Sequence, residues 1–190
     1  MPSRTAVPGC INKLQLAARR GRARGPGSAD RWIRACLPAT IGFMSSPWKK
    51  VAYLAVGGLT EVGFAAGSLL LVVSHQGRGV VDLASGELLA RDRQETGAWF
   101  GAARRTVLGF GPLDGAWISV CGLAGGQLPG ATADGWQARV SGEYVTVSAP
   151  GRQPLLVSES EEIRAVGFSP DGTTFIIATS PGLAITQRHG

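Results

Sequence analysis

Short apolar runs separated by glycine-rich turns dominate the chain after residue 47. Leu69 to Ser74 is a nearly continuous apolar run, too short for a helix and flanked by glycine, which predicts a strand covered on both faces. From Tyr144 to Ala149 polar and apolar residues alternate, which predicts a strand with one buried face. Because helical periodicity is almost absent beyond residue 47, the pattern predicts an all-β domain.

An aliphatic residue followed by Gly and Phe occurs three times, and each copy precedes a turn segment and an apolar run. A strand-turn-strand unit that recurs in this way is typical of repeat-built all-β proteins. We therefore expect the three phenylalanines to occupy equivalent buried positions in three successive units. The phenylalanines are Phe64, Phe110 and Phe168, and the units lie near residues 48–93, 94–135 and 136–190.

The third copy contains Asp171-Gly172 between two apolar runs, which is a strong hairpin signal because Gly takes positive φ without steric cost. Phe168 to Ser180, FSPDGTTFIIATS, resembles a blade of a WD-repeat β-propeller. The resemblance extends over residues 59–92 and 160–188, although the Trp-Asp and Gly-His pairs of that family are absent. It implies a blade-like β-meander used as a binding scaffold, and it supplies no catalytic residues.

The residues after Trp48 suffice for about three blades, whereas closed propellers have about four or more. The fold class is therefore a small repeat-built β-meander, a WD-repeat-like partial or compact propeller. Three arrangements remain: a compact propeller with an irregular second blade, a distorted small barrel or sandwich, or a ring that two chains complete. A compact monomer is our first expectation, and exposed sheet edges also allow a homodimer.

The first 43 residues differ in composition from the rest. They hold eight basic residues and one acidic residue, whereas residues 44–190 hold 11 basic and 12 acidic residues. This Arg/Ala/Gly-rich leader has no sustained apolar face, so we expect it to be disordered. Because Met44 stands directly before the β-rich domain, we predict that it is the native start. Intact-mass measurement of the endogenous protein would test this.

The domain offers few groups for metal or redox chemistry. Beyond residue 43 Cys121 is the single cysteine, so neither a disulfide framework nor a zinc site is predicted. We expect no cofactor, no membrane association and a reducing cytoplasm. The nearly neutral domain gives no electrostatic case for nucleic acid, so nucleic-acid binding would depend on the basic leader.

Two segments contain candidate binding residues. The loop from Ser74 to Gly79 could present His75 and Arg78 to a ligand, with Asp82 nearby on the return strand, or it could be an ordinary hairpin loop. A second segment combines an aromatic side chain with two arginines, as binding hot spots do, or fills a core between blades. These residues are Trp99, Arg104 and Arg105.

The sequence thus favours a non-catalytic module that binds another protein, for example an inhibitor or immunity-type partner of a bacterial toxin. One alternative is a small enzyme that uses His75, Arg78 and Asp82. Another is a nucleic-acid binder that acts through the leader.

Overall fold

A computed structural model describes residues 46–94, 97–159 and 162–189. These ranges are almost entirely strand, with two short 3-10 helices at Ala102–Arg104 and Gly111–Leu113. They contain no helix of the length and apolarity needed to cross a membrane. The all-β prediction is confirmed. The predictions for the leader and for Met44 fall outside the described residues.

The strands agree closely with the apolar runs of the sequence. In chain order they are β1 (Trp48–Ala55), β2 (Leu59–Phe64), β3 (Leu69–Ser74), β4 (Gly77–Asp82), β5 (Leu88–Asp92), β6 (Phe100–Gly101), β7 (Thr106–Leu108), β8 (Trp117–Ser119), β9 (Cys121–Gly122), β10 (Gln137–Ser141), β11 (Tyr144–Ser148), β12 (Leu155–Glu159), β13 (Ile163–Phe168), β14 (Thr174–Thr179) and β15 (Gly182–Arg188).

These strands form four open antiparallel sheets, so a barrel is excluded for the described residues. Sheet I has the order β5-β4-β3-β2-β9, and sheet II has the order β6-β7-β8. Sheet III is β10-β11-β12, and sheet IV is β1-β15-β14-β13. The region beyond residue 135 therefore divides into two sheets, where the sequence predicted one unit.

The first strand belongs to the last sheet. β1 pairs antiparallel with β15 from Trp48 opposite Arg188 to Ala55 opposite Gly182. It therefore does not join the unit near residues 48–93 that the sequence predicted. The pairing places Trp48 against Phe168 and Phe175, and burial of its ring explains why the strand docks there.

Three hydrophobic cores hold the four sheets together. One core joins sheet I to sheet IV and includes Leu70 and Ile176. A second joins sheet I to sheet II and includes Leu71 and Val107. The third joins sheet III to sheet IV around Trp48. The sheets therefore pack in the order II–I–IV–III, and no core among the described residues joins sheet II to sheet III.

The three phenylalanines of the repeated triplet are not equivalent. Phe168 ends β13 and is fully buried, whereas Phe64 ends β2 and is only partly buried. Phe110 is also partly buried and lies outside any strand, directly before the second 3-10 helix. The expectation of three equivalent buried positions is therefore corrected. The middle copy differs because its turn folds into a helical turn instead of a tight hairpin.

The glycine of each triplet is the feature that the copies share. At all three positions a Cβ atom would collide with a segment that crosses close to the backbone. Glycine is the residue that permits such an approach. The crossing atoms are the Ser119 carbonyl oxygen at Gly63, the Leu113 carbonyl oxygen at Gly109, and Leu128 at Gly167.

Candidate functional site

A groove runs between the end of β1 and the outer part of sheet I. Gly77 and Gly79 lie two residues apart on β4, so they share the face that points toward sheet IV. Because neither has a side chain, this face is hollow where the segment from Leu54 to Gly57 crosses it. The resulting groove has a volume of about 230 Å³.

The floor of the groove is apolar and its outer rim is polar. Gln76 and Arg91 belong to the rim, and the Arg91 side chain donates to the Gln76 side-chain oxygen at 3.2 Å. The same two residues line a wider depression together with His75 and Arg93. The rim therefore continues onto the surface beside the β3–β4 turn. The apolar floor residues are Leu54, Val56, Val72, Val81 and Leu88.

The rim is cationic. Arg91 and Arg93 are exposed, and neither forms an ion pair with a described carboxylate. Asp92 stands between them in sequence, but its side chain points to the opposite face of β5 and pairs with Arg78. Among the described residues, these two positive charges have no acidic partner, and they lie beside an apolar floor. A ligand with an apolar group next to a carboxylate matches this surface.

Arg78 belongs to the groove lining, but its side chain points away from the groove and has a structural role. Its guanidinium is 3.0 Å from the Asp92 carboxylate and also donates to the Leu108 carbonyl oxygen. The ring centroids of Trp99 and Phe110 lie 4.8 and 4.7 Å from its central carbon. The side chain is buried in the core between sheets I and II. The hypothesis that Arg78 is presented on a loop is therefore wrong.

Asp82 also lies away from His75. His75 follows β3 at the β3–β4 turn, whereas Asp82 is the last residue of β4, at the opposite end of that hairpin. The Asp82 carboxylate accepts hydrogen bonds from the Ser68 hydroxyl and the Ala84 and Ser85 amides, and these lower its pKa. It organises the turn between β4 and β5. The structure does not bring His75, Arg78 and Asp82 together.

The second candidate segment is divided between a core and a surface. Trp99 is buried beneath Arg78, where the core interpretation placed it. Arg104 and Arg105 are exposed beside sheet II. Arg105 ends the first 3-10 helix with φ of 51°. Arg104 lines a separate recess on the outer face of sheet II with Trp117.

Glu61 is a buried carboxylate that the sequence patterns did not identify as special. It accepts hydrogen bonds from the Thr60 hydroxyl and from the Ala124 amide at 3.2 Å. These bonds attach the segment after β9 to β2. Burial is the main cause that raises the pKa of the neighbouring Cys121 thiol, and the Glu61 charge adds to it. The Glu61 carboxylate therefore holds β2 to the segment after β9. The raised pKa leaves the Cys121 thiol unreactive.

The described residues hold no cluster of three or more His, Cys, Asp or Glu side chains that could bind a metal ion. Comparisons of the sequence with protein-family models and with curated proteins found no match. The function must therefore be argued from the groove and its surroundings.

Sequence reasoning identified His75 and the two glycines that flank Arg78, but it did not identify the groove. The missing signal was the spacing of Gly77 and Gly79, since glycines two apart on a strand remove side chains from one face. The partners Leu54, Val56 and Arg91 come from distant parts of the chain. Their approach depends on the packing of β1 against sheet I, which no local pattern indicates.

Proposed function

We propose that this chain is a non-catalytic protein-binding module whose groove takes an extended, acidic segment of a partner protein. The observation that supports this most directly is the apolar floor beside two arginines that form no ion pair with a described carboxylate. An aliphatic side chain of the partner would fill the hollow above Gly77 and Gly79. Its neighbouring carboxylates would then reach Arg91 and Arg93.

The shape of the groove supports a peptide more than a small substrate. Small-molecule sites usually have volumes of about 300–1,000 Å³ and bury most of the ligand, whereas this groove has only about 230 Å³. An extended peptide also suits the free edge of β5, which forms one side of the groove. An inhibitor or immunity-type role would require such a contact with an acidic segment of the target.

The sheet arrangement supports a scaffold of the WD-repeat type. We infer that the four sheets are degenerate propeller blades, with β1 completing the blade that contains the SPDG turn. Antiparallel meanders that pack face to face, with the first strand added to the last sheet, fit this interpretation. The groove then lies between two adjacent blades, where loops and strand ends commonly carry recognition.

Binding of a labelled peptide tests the groove directly. The probe is an extended peptide with one leucine flanked by aspartates and glutamates, measured by fluorescence anisotropy. A peptide with lysines in place of the acids, and one with serine in place of the leucine, should bind at least about tenfold more weakly. Equal binding of all three peptides would exclude this recognition mode.

Matched variants separate the two halves of the groove. Gly79→Leu should fill the floor, because its Cβ would meet only the flexible tip of Leu88 at 3.0 Å. The double change Arg91→Glu and Arg93→Glu should reverse the charge of the rim from positive to negative. The control is Lys49→Glu, an exposed lysine on β1 that does not line the groove. We expect both groove variants to lose binding with unchanged melting temperatures, and the control to bind normally.

Separate experiments test the two alternative functions, a small enzyme and a nucleic-acid binder. An enzyme that uses His75 would lose its activity on His75→Ala, without loss of stability. Nucleic-acid binding through the leader would be salt-sensitive and would disappear when residues 1–43 are removed. A pull-down with residues 44–190 should still capture a protein partner.

A further inference from the structure

Within the described residues, two sheet faces have no covering layer. The inner faces of sheets II and III pack in cores, and sheets I and IV are covered on both sides. The outer faces of sheets II and III, at the two ends of the packing order, carry large apolar side chains on the surface. Such side chains on a sheet face commonly mark an interaction surface.

The outer face of sheet II centres on Trp117, which is 54% exposed. Its strand neighbour Ile118 points inward and is buried, so Trp117 is directed away from the core. The ring lies beside Gly101, where a Cβ would be 3.6 Å from it. Together with Arg104 and Thr106 these residues line a shallow recess.

The outer face of sheet III centres on Tyr144 and Leu156, which are 47% and 60% exposed. Tyr144 alternates along β11 with Val145 and Val147, whose side chains are fully buried against sheet IV. Leu156 pairs with Thr146 and so shares the outer face with Tyr144. Sheet III therefore presents an aromatic and an aliphatic group to the outside.

We propose that a second copy of this chain covers both faces: sheet II of one copy packs on sheet III of its partner, and the reverse contact closes the pair. A twofold axis relates the two contacts, so neither face is left open and growth stops at a dimer. The eight sheets of the two chains would then form one closed ring, which lies within the size range of β-propellers.

The charges on the two faces are compatible. Arg104 is the charged residue of the sheet II recess. The sheet III face carries Glu143 beside Tyr144 in the β10–β11 turn, together with Arg139 on β10. The sheet III face is therefore close to neutral and offers Arg104 an acidic partner. If either face packed instead on the same face of a second chain, like charges or like recesses would meet.

The exposed apolar side chains supply about half of the area that a specific contact needs. Trp117 and Tyr144 each keep about 100 Å² of exposed side chain, half of what a buried aromatic covers. Leu156 adds a similar area, so six such side chains in two contacts supply about 600 Å². Flanking polar residues have to provide the remainder of the about 1,200 Å² that stable interfaces bury.

A dimer that packs through these sheet faces also agrees better with the structure than a dimer that pairs through the β1 edge. The free edge of β1 carries Lys49 and Lys50, and the register shifts between Lys50 and Ala52. Lysines and bulges are devices that prevent edge pairing.

Light scattering coupled to size-exclusion chromatography tests the dimer. The full-length protein should have the mass of two 19.7-kDa chains. Trp117→Arg on sheet II and Leu156→Arg on sheet III should each give the mass of one chain. The matched control, Leu89→Arg, changes a leucine on β5 that is 48% exposed and lies outside both faces, and it should remain dimeric.

A mixture of the two arginine variants gives the decisive result. One contact of the mixed pair combines an unchanged sheet II with an unchanged sheet III, so dimers should reappear. Variants that had simply unfolded would not recover in this way. A wild-type protein that is monomeric at every concentration overturns the proposal. So does a dimer that only one of the two substitutions disrupts, or a mixture that stays monomeric.

Discussion

Arg78 and Asp92 form an ion pair between β4 and β5, with Nη2 and Oδ2 3.0 Å apart, enclosed by the rings of Trp99 and Phe110. The pair explains two properties of the domain at once. It satisfies a buried guanidinium in the core between sheets I and II. It also removes Asp92 as a counter-ion for Arg91 and Arg93, so the groove rim stays cationic.

We predict that Arg78→Ala destabilises the domain by about 3 kcal/mol, because it leaves a poorly solvated carboxylate without its partner. Urea unfolding monitored by tryptophan fluorescence would measure this. The double variant Arg78→Met and Asp92→Leu should recover most of the loss, since both charges are then gone. A single variant as stable as the wild type would show that the pair is dispensable.

The two glycines of the groove floor should respond differently to alanine. Gly77 has φ of 118°, and a Cβ there would lie 2.1 Å from the Asp92 carbonyl oxygen. Gly77→Ala should therefore lower the free energy of unfolding by more than about 2 kcal/mol. Gly79→Ala meets only a leucine tip and should change it by less than about 1 kcal/mol. Similar denaturation midpoints for both variants would contradict this geometry.

The SPDG turn should make the domain sensitive to acid. The Ser169 hydroxyl is the main cause that holds the pKa of Asp171 below its ordinary value, and the Thr173 amide and hydroxyl add to it. A carboxylate with a lowered folded-state pKa stabilises the protein above its unfolded pKa of about 3.9 and loses that effect as the pH falls through the folded value. The wild type should therefore exceed Asp171→Asn in stability at pH 7.

The same pair of proteins provides the pH control. As the pH falls below about 4, the stability difference between wild type and Asp171→Asn should shrink toward zero. Thermal melts at pH 7, 5 and 3 would follow it. A difference that stays constant across this range would mean that the side chain acts through its shape and not through its charge.

Trp48 should be among the most important core residues. Its ring is 5.5 Å from that of Trp136 and 5.4 Å from that of Phe168, so it joins sheets III and IV. Trp48→Ala should destabilise the domain by about 3–5 kcal/mol. Tyr53→Ala on the same strand is the control, because that side chain is exposed and should change stability by less than about 1 kcal/mol.

Local patterns were sufficient to identify the strands. The boundaries of β3 and β11 follow directly from an apolar run and from an alternation, because burial on one or two faces of a sheet imposes those patterns. The glycine of each triplet also carried structural information. It marks a position where other atoms approach the backbone too closely for a side chain. The phenylalanine that follows does not determine this approach.

Relations between distant segments could not be predicted in this way. Nothing near Trp48 indicates that it pairs opposite Arg188, since the pairing depends on which sheet edge remains free after the other strands have formed. The role of Arg78 was missed for the same reason. A basic residue between two glycines indicates a surface loop, unless Asp92, Trp99 and Phe110 are known to surround it.

The pairing of β1 with β15 also constrains how the protein is made. During synthesis β1 leaves the ribosome before the other strands, whereas its partner β15 emerges after all of them. Until then sheet IV is incomplete, and Trp48 has no finished core to enter. The nascent chain must therefore keep β1 unpaired until β15 has been synthesised, and sheet IV can fold cooperatively only from that point on.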